Sequence, residues 1–141
     1  MGVIDRRDGL EVLDREECLE LLAAGSGGVG RVAIVEGRHP VILPVNYAMD
    51  GDRVAFRTSP GTKLDAALRD APVAFEIDHL DDDDRIGWSV VVRGRSEAVV
   101  DPRTRDRLEA LGVRPWSDVE KSNWVTIAPE TVTGRRIPPH T

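Results

Sequence analysis

Two fixed cations and two threonine hydroxyls surround a Pro-Gly turn in Phe56-Arg57-Thr58-Ser59-Pro60-Gly61-Thr62-Lys63-Leu64. This is chemistry suited to a phosphate. A helix start offers unpaired backbone amides and a partial positive charge. Arg57 can fork two bonds to phosphate oxygens, Lys63 supplies a point charge, and Thr58 and Thr62 donate hydroxyls. The spacing leaves a plainer reading open: Thr62 as a helix cap, Pro60-Gly61 as a turn, and Arg57 and Lys63 as solvated charges. The full Gly-x-x-x-x-Gly-Lys-Ser/Thr spacing is missing, so nucleotide hydrolysis has no support.

A second candidate lies just upstream. The segment from Val41 to Met49 alternates, with Val41, Leu43, Val45, Tyr47 and Met49 on one face and Ile42, Pro44, Asn46 and Ala48 on the other. Pro44 cannot donate to a ladder, so its strand sits at an edge or breaks its pairing there, leaving backbone groups for a ligand. Asn46 both donates and accepts, which suits the mixed edge of a heterocycle and equally suits a solvated edge. Six aromatic residues are present, three of them Trp88, Trp116 and Trp124; Trp88 and Trp124, each at the head of a strand, are read as walls for a planar ring or as core or dimer contacts.

The elements that must position these residues read as mainly β. Asp14 caps a helix with Glu17 reaching back and Leu13 stapled onto Cys18; Ala24-Gly25 ends it. Strands follow at Val29–Val35, Val41–Met49 and Val54–Thr58, the last two joined through Asp50-Gly51. A short helix at Lys63–Arg69 stops before Pro72. Strands at Val73–Ile77 and Trp88–Val100 flank an acidic loop. Asp101-Pro102 opens another helix with Leu108 and Leu111 as its apolar side. A short strand, Trp124–Ile127, precedes Thr131–Ile137. About six hairpin-connected strands with two or three peripheral helices predict a small, mainly antiparallel barrel and disfavour a doubly wound sheet. The expected organisation is a flexible arm at 1–12, one domain at 13–138 and a tail at 139–141.

Composition narrows the function classes. The 141 residues suit one core, with no need of a disulfide or metal staple. Acids outnumber Lys plus Arg, 25 to 19, for a net charge of −6, the reverse of a nucleic-acid binder, but compatible with one phosphorylated small molecule in a local positive pocket. The single cysteine, Cys18, reads as core filler. No run approaches the ~18 apolar residues of a membrane span, and the charged start from Met1 to Glu11 predicts no secretory signal, hence a cytoplasmic protein. His79 beside Asp81–Asp84 lacks calcium-loop spacing, and His39 and His140 stand alone, so no metal site is expected. The Asp run reads as a solvated hairpin tip. No catalytic residue is assigned.

Taken in order, Leu13-Asp14-Arg15-Glu16-Glu17-Cys18, Pro44-Val45-Asn46-Tyr47-Ala48-Met49-Asp50-Gly51, Phe56-Arg57-Thr58 with Gly61-Thr62-Lys63-Leu64, Ala74-Phe75-Glu76-Ile77-Asp78, Gly87-Trp88-Ser89-Val90-Val91-Val92-Arg93-Gly94 and Thr133-Gly134-Arg135-Arg136-Ile137 resemble the pyridoxamine 5′-phosphate oxidase-like superfamily. Within it they are most similar to the small actinobacterial-type members grouped with nitroimidazole-resistance proteins. The resemblance implies an FMN-binding split β-barrel. It implies an FMN phosphate held by Arg57, Thr58, Thr62 and Lys63, with the Pro44-Val45-Asn46-Tyr47 backbone along the isoalloxazine ring. Trp88 and Ser89 would come from across a homodimer interface. The implied activity is an oxidoreductase passing a hydride or electrons to a small organic acceptor. Deazaflavin, FAD or haem are the alternative cofactors, and a deazaflavin-dependent reductase or a non-catalytic flavin or haem carrier the alternative roles. The C-terminal Arg and His extension that grips pyridoxine phosphate in the vitamin-specific oxidases has no counterpart here.

Overall fold

Hairpins dominate the computed structural model, which describes residues 3–116 and 121–138. The expected tail at 139–141, with His140, lies outside the described residues. Eleven elements follow one another: β1 (Val3–Ile4), β2 (Glu11–Leu13), α1 (Arg15–Ala24), β3 (Val29–Glu36), β4 (His39–Asp50), β5 (Arg53–Thr58), α2 (Lys63–Ala67), β6 (Asp70–Asp81), β7 (Ile86–Ala98), α3 (Pro102–Glu109) and β8 (Asn123–Arg136). All strands join one antiparallel sheet in the order β1-β2-β8-β5-β4-β3-β6-β7, and β7 pairs back onto β8. Strands β3 to β8 therefore close a six-stranded barrel, the mainly β split barrel expected from the sequence.

The caps are where the residue types put them. Asp14 accepts from the Glu17 amide at 2.8 Å and Gly25 ends α1. Asp101 accepts from the Arg103 amide, with Pro102 in the first turn of α3. Gly51 turns β4 into β5 at φ 62°, a conformation that favours glycine.

Four expectations need correction. Part of the arm at 1–12 is sheet, because β2 pairs with residues 134–136 of β8. The strand expected at Val73–Ile77 begins at Asp70 and contains Pro72; β3 pairs with β6 only from Val73 to Glu76, so Pro72 has a neighbour on one side only. The two final strands are one, because a bulge between Arg93 and Gly94 opposite Pro129–Thr131 lets β8 run on past the proline. Leu111 is exposed while Leu108 is buried, so α3 packs through one leucine.

The interior is filled by the alternate residues of each strand. Val32, Ile34, Val45, Tyr47, Val54, Phe56, Phe75, Val90, Val92 and Ile127 form one cluster, closed at one end by Cys18 and Leu22 of α1. The Tyr47 hydroxyl donates to the Leu22 carbonyl at 2.7 Å and ties that helix to β4; burial pushes its pKa up to about 12. A smaller outer cluster, Ala48, Ala55, Leu108, Val113 and Trp124, seats α3 against β4, β5 and β8. Among the described residues, no helix is long and apolar enough to cross a membrane, and no group of His, Cys, Asp or Glu could hold a metal ion.

Candidate functional site

The barrel splits between β4 and β5. Their ladder runs from Asp50↔Arg53 to Tyr47↔Phe56 and stops there. One further step would pair Asn46 with Arg57. Instead β4 continues on β3 alone, Val29 opposite Asn46 and Arg31 opposite Pro44, while β5 continues on β8, Arg57 opposite Trp124. Consecutive residues of an antiparallel strand direct their backbone groups to opposite sides. Tyr47 exchanges bonds with Gly27 and Gly28, so the amide and carbonyl of Asn46 and the carbonyl of Pro44 face the split. Pro44 sits where its missing N–H leaves no unmet donor.

Side chains add donors there. Asn46 Nδ2 and Arg57 Nε are both buried with no hydrogen-bond partner among the described residues. Asn46 Oδ1 accepts from the Trp116 amide at 3.0 Å, which draws the segment after α3 over the opening. A groove of about 260 Å³ results, lined by Val29, Pro44, Val45, Asn46, Trp116 and Lys121. Buried polar atoms are nearly always paired in folded proteins, so two unmet donors on the two strands that part at the split mark a place for an acceptor.

Arg57 is held rigidly. Its guanidinium lies 4.6 Å from the Trp124 ring centroid, Nη2 donates to Glu109 Oε2 at 2.8 Å, and Trp124 Nε1 donates to Glu109 Oε1 at 2.8 Å.

The turn after β5 is organised differently from the expectation. Its centre is the Asp65 carboxylate, 4% exposed, which accepts from Thr58 Oγ1 at 2.7 Å, from the Gly61 amide and from Asn123 Nδ2. These bonds hold its acid below the usual carboxylate range, the Thr58 bond most of all. The Thr58 hydroxyl is thus buried and spent inward. Thr62 caps α2, accepting from the Asp65 amide and donating to the Ser59 carbonyl. Lys63 is exposed in the first turn of α2. Of the four expected phosphate ligands, Lys63 is exposed and Arg57 keeps a buried Nε with no partner among the described residues, while the threonines shape the loop.

Tyr47 is a second correction. Its hydroxyl and backbone are all engaged within the fold, so Pro44, Val45 and Asn46 alone line the groove from this strand.

Trp88 and Ser89 lie elsewhere. They pair with Arg136 and Arg135 at the far end of β8, twelve residues along that strand from Trp124 and hence roughly 40 Å of chain away. Half-buried Trp88 stands 6.4 Å from the His79 ring. Ser89 lines another groove with Arg93, Thr131, Thr133 and Arg135. One chain does not bring the two sets together. Glu109, Asp65, Trp116 and Lys121 were missed from sequence because each reaches its place through long-range packing; only Asp65, three residues after a capping threonine, carried a local signal.

A family model described as pyridoxamine 5′-phosphate oxidase matches residues 14–136 of the chain. An uncharacterized Mycobacterium tuberculosis protein, Rv0080, is 41% identical over 130 residues, 89% of this chain and 84% of that one. The FAD-binding protein of Mycobacterium smegmatis is 34% identical and superposes with a TM-score of 0.72 over 89% of this chain and 96% of its own. An FAD-binding protein of Mesorhizobium loti is 25% identical, with a TM-score of 0.71 over 90% and 97%.

Proposed function

The chain belongs to the pyridoxamine 5′-phosphate oxidase family, and on that premise we propose that it is a flavin-binding oxidoreductase whose cofactor sits at the split between β4 and β5. The observation that carries this reading is the pair of buried donors, Asn46 Nδ2 and Arg57 Nε, that have no partner among the described residues and flank that split. They fit a ring edge and a phosphate. Arg57 and Lys63 would hold the phosphate that FMN and FAD share, and the outward backbone of Pro44 and Asn46 would meet the ring. The two similar FAD-binding proteins give FAD support beside the FMN that the sequence motifs suggest. When bound, the flavin supplies the redox chemistry. The protein's own part is to bind, orient and exclude water, the last through the segment that Trp116 closes over Asn46.

We further propose that the working site takes two copies of the chain. The groove of about 260 Å³ falls short of the 300–1,000 Å³ typical of cofactor pockets. A second copy would supply the distant Trp88 and Ser89. The outer face of β3, β4 and β6 suits that contact: Val35 and Ile42 are 65% and 67% exposed there, beside Ala33 and Ala74, and α3 covers only the opposite flank.

The test is a visible spectrum of the purified protein, with mass identification of the chromophore released on denaturation. A yellow protein releasing FMN or FAD is expected. Losing two charged hydrogen bonds of roughly 1.5–3 kcal/mol each, Arg57→Ala with Lys63→Ala should stay folded and bind flavin at least a hundredfold more weakly. Full flavin occupancy in that double variant would overturn the anchoring. Reduction by NAD(P)H no faster than that of free flavin would leave a carrier rather than an enzyme.

A further inference from the structure

We propose that Glu109 is a displaceable internal counter-ion, occupying Arg57 until a phosphate-bearing ligand takes its place. This rests on the reading that Arg57 anchors that phosphate. The Glu109 carboxylate bridges two donors, one oxygen on Arg57 Nη2 and the other on Trp124 Nε1, each at 2.8 Å. Two oxygens of a phosphate present the same arrangement of acceptors. The two sides of the contact differ in freedom. Trp124 is 2% exposed and the Arg57 side chain 20%, stacked on it, so the donors are fixed. The Glu109 side chain is 46% exposed on the last residue of α3, before a C-cap at Ala110 and a left-handed turn at Gly112, φ 70°. A fixed cation with a solvent-facing partner is built for exchange rather than for permanent pairing.

The exchange conserves hydrogen bonds. When Glu109 swings into water, the buried indole N–H and the guanidinium lose their acceptor and must find another. An incoming phosphate supplies both oxygens. A neutral ligand supplies neither charge nor geometry, and leaves Glu109 in place. Glu109 therefore sets a threshold for phosphate over uncharged ligands: while it sits on Arg57 it neutralises the cation and repels an approaching anion. The same carboxylate terminates the helix whose following segment reaches Asn46 through Trp116, so its release and the opening of the groove share one element.

Affinities for FMN, FAD and riboflavin, measured by flavin-fluorescence titration, test this in the native protein, Glu109→Gln, Arg57→Ala and the double variant. Glutamine keeps an acceptor for Trp124 but carries no charge. Glu109→Gln should tighten FMN and FAD by about tenfold, leave riboflavin unchanged, and give no gain when Arg57 is alanine. Glu109→Ala, on an exposed helix end, serves if the glutamine variant does not fold and should shift in the same direction. Unchanged or weaker FMN and FAD binding in the Glu109 variants, with Arg57→Ala still impaired, would make Glu109 a permanent support and overturn the proposal while leaving the anchor intact. Equal FMN affinity in the native protein and Arg57→Ala, or flavin uptake by none of the four proteins, would overturn the anchor and this inference together.

Discussion

Asp65 gathers donors from three elements, and its removal would strand all of them. Thr58 on β5, the Gly61 amide in the turn and Asn123 on β8 each donate to it within the fold. Asp65→Ala should therefore destabilise the protein by about 3 kcal/mol, with buried donors left unmet, as a lowered midpoint in urea unfolding. Asp65→Asn keeps one acceptor oxygen and should lose less. The acid is also a pH handle. Its folded value lies below the unfolded 3.8, so its contribution is complete above that pH and drains away as pH falls further. A urea midpoint insensitive to the alanine change would mean that the loop is held by its backbone alone. Cys18, by contrast, is fully buried beside Gly134 with its thiol pushed up by burial, consistent with the filler role read from its neighbours.

Across β3 and β6, one cross-strand set stands out on the outer face. Glu76 and Asp78 lie two residues apart on β6, and Arg31 on β3 reaches both, at 3.4 and 3.5 Å. Val91 of β7 lies opposite Glu76 and brings no charge. Burial, then the neighbouring Asp78, pushes the Glu76 carboxyl up to about 7 against the lowering pull of Arg31. The folded protein thus holds a proton that an unfolded chain, titrating near 4.5, gives up. Stability is complete below pH 4.5 and falls as pH rises through 7. Glu76→Gln should raise the melting temperature at pH 8, by the equivalent of about 1 kcal/mol once water screening of this partly exposed group is allowed for, and change little at pH 4.5. An equal shift at both pH values would rule out the proton as its cause. At this scale the sequence was largely readable, because caps, turns and alternation are local. Asp14, Asp101, Gly51 and the face of Val45 and Tyr47 were legible for that reason. Pro72 and Pro129 misled because whether a proline breaks a strand depends on which neighbour faces it, and that is decided by distant pairing. The site was legible as residue types, Arg57 and Asn46 above all, while the roles of Thr58 and Tyr47 turned on partners far along the chain.

For the whole molecule, the decisive prediction concerns two copies. Val35→Asp, on the outer face six residues along β3 from the groove residue Val29, should convert a dimer to a monomer by sedimentation and weaken flavin binding by about tenfold or more, whereas Arg57→Ala should weaken binding without dissociating it. A native protein that sediments as a monomer with flavin fully bound would remove the second copy from the site. The manner of closure carries a consequence for biogenesis. Residues 125–127 of β8 bond to β5 on one side and β7 on the other, and residues 134–136 also receive β2. Until this strand emerges from the ribosome, two long ladders stand open, and the nascent chain has every other staves of its cask but no hoop. Folding must wait for translation to pass Arg136, a delay in which chaperone capture, or sticking edge to edge between neighbouring nascent chains, competes with closure.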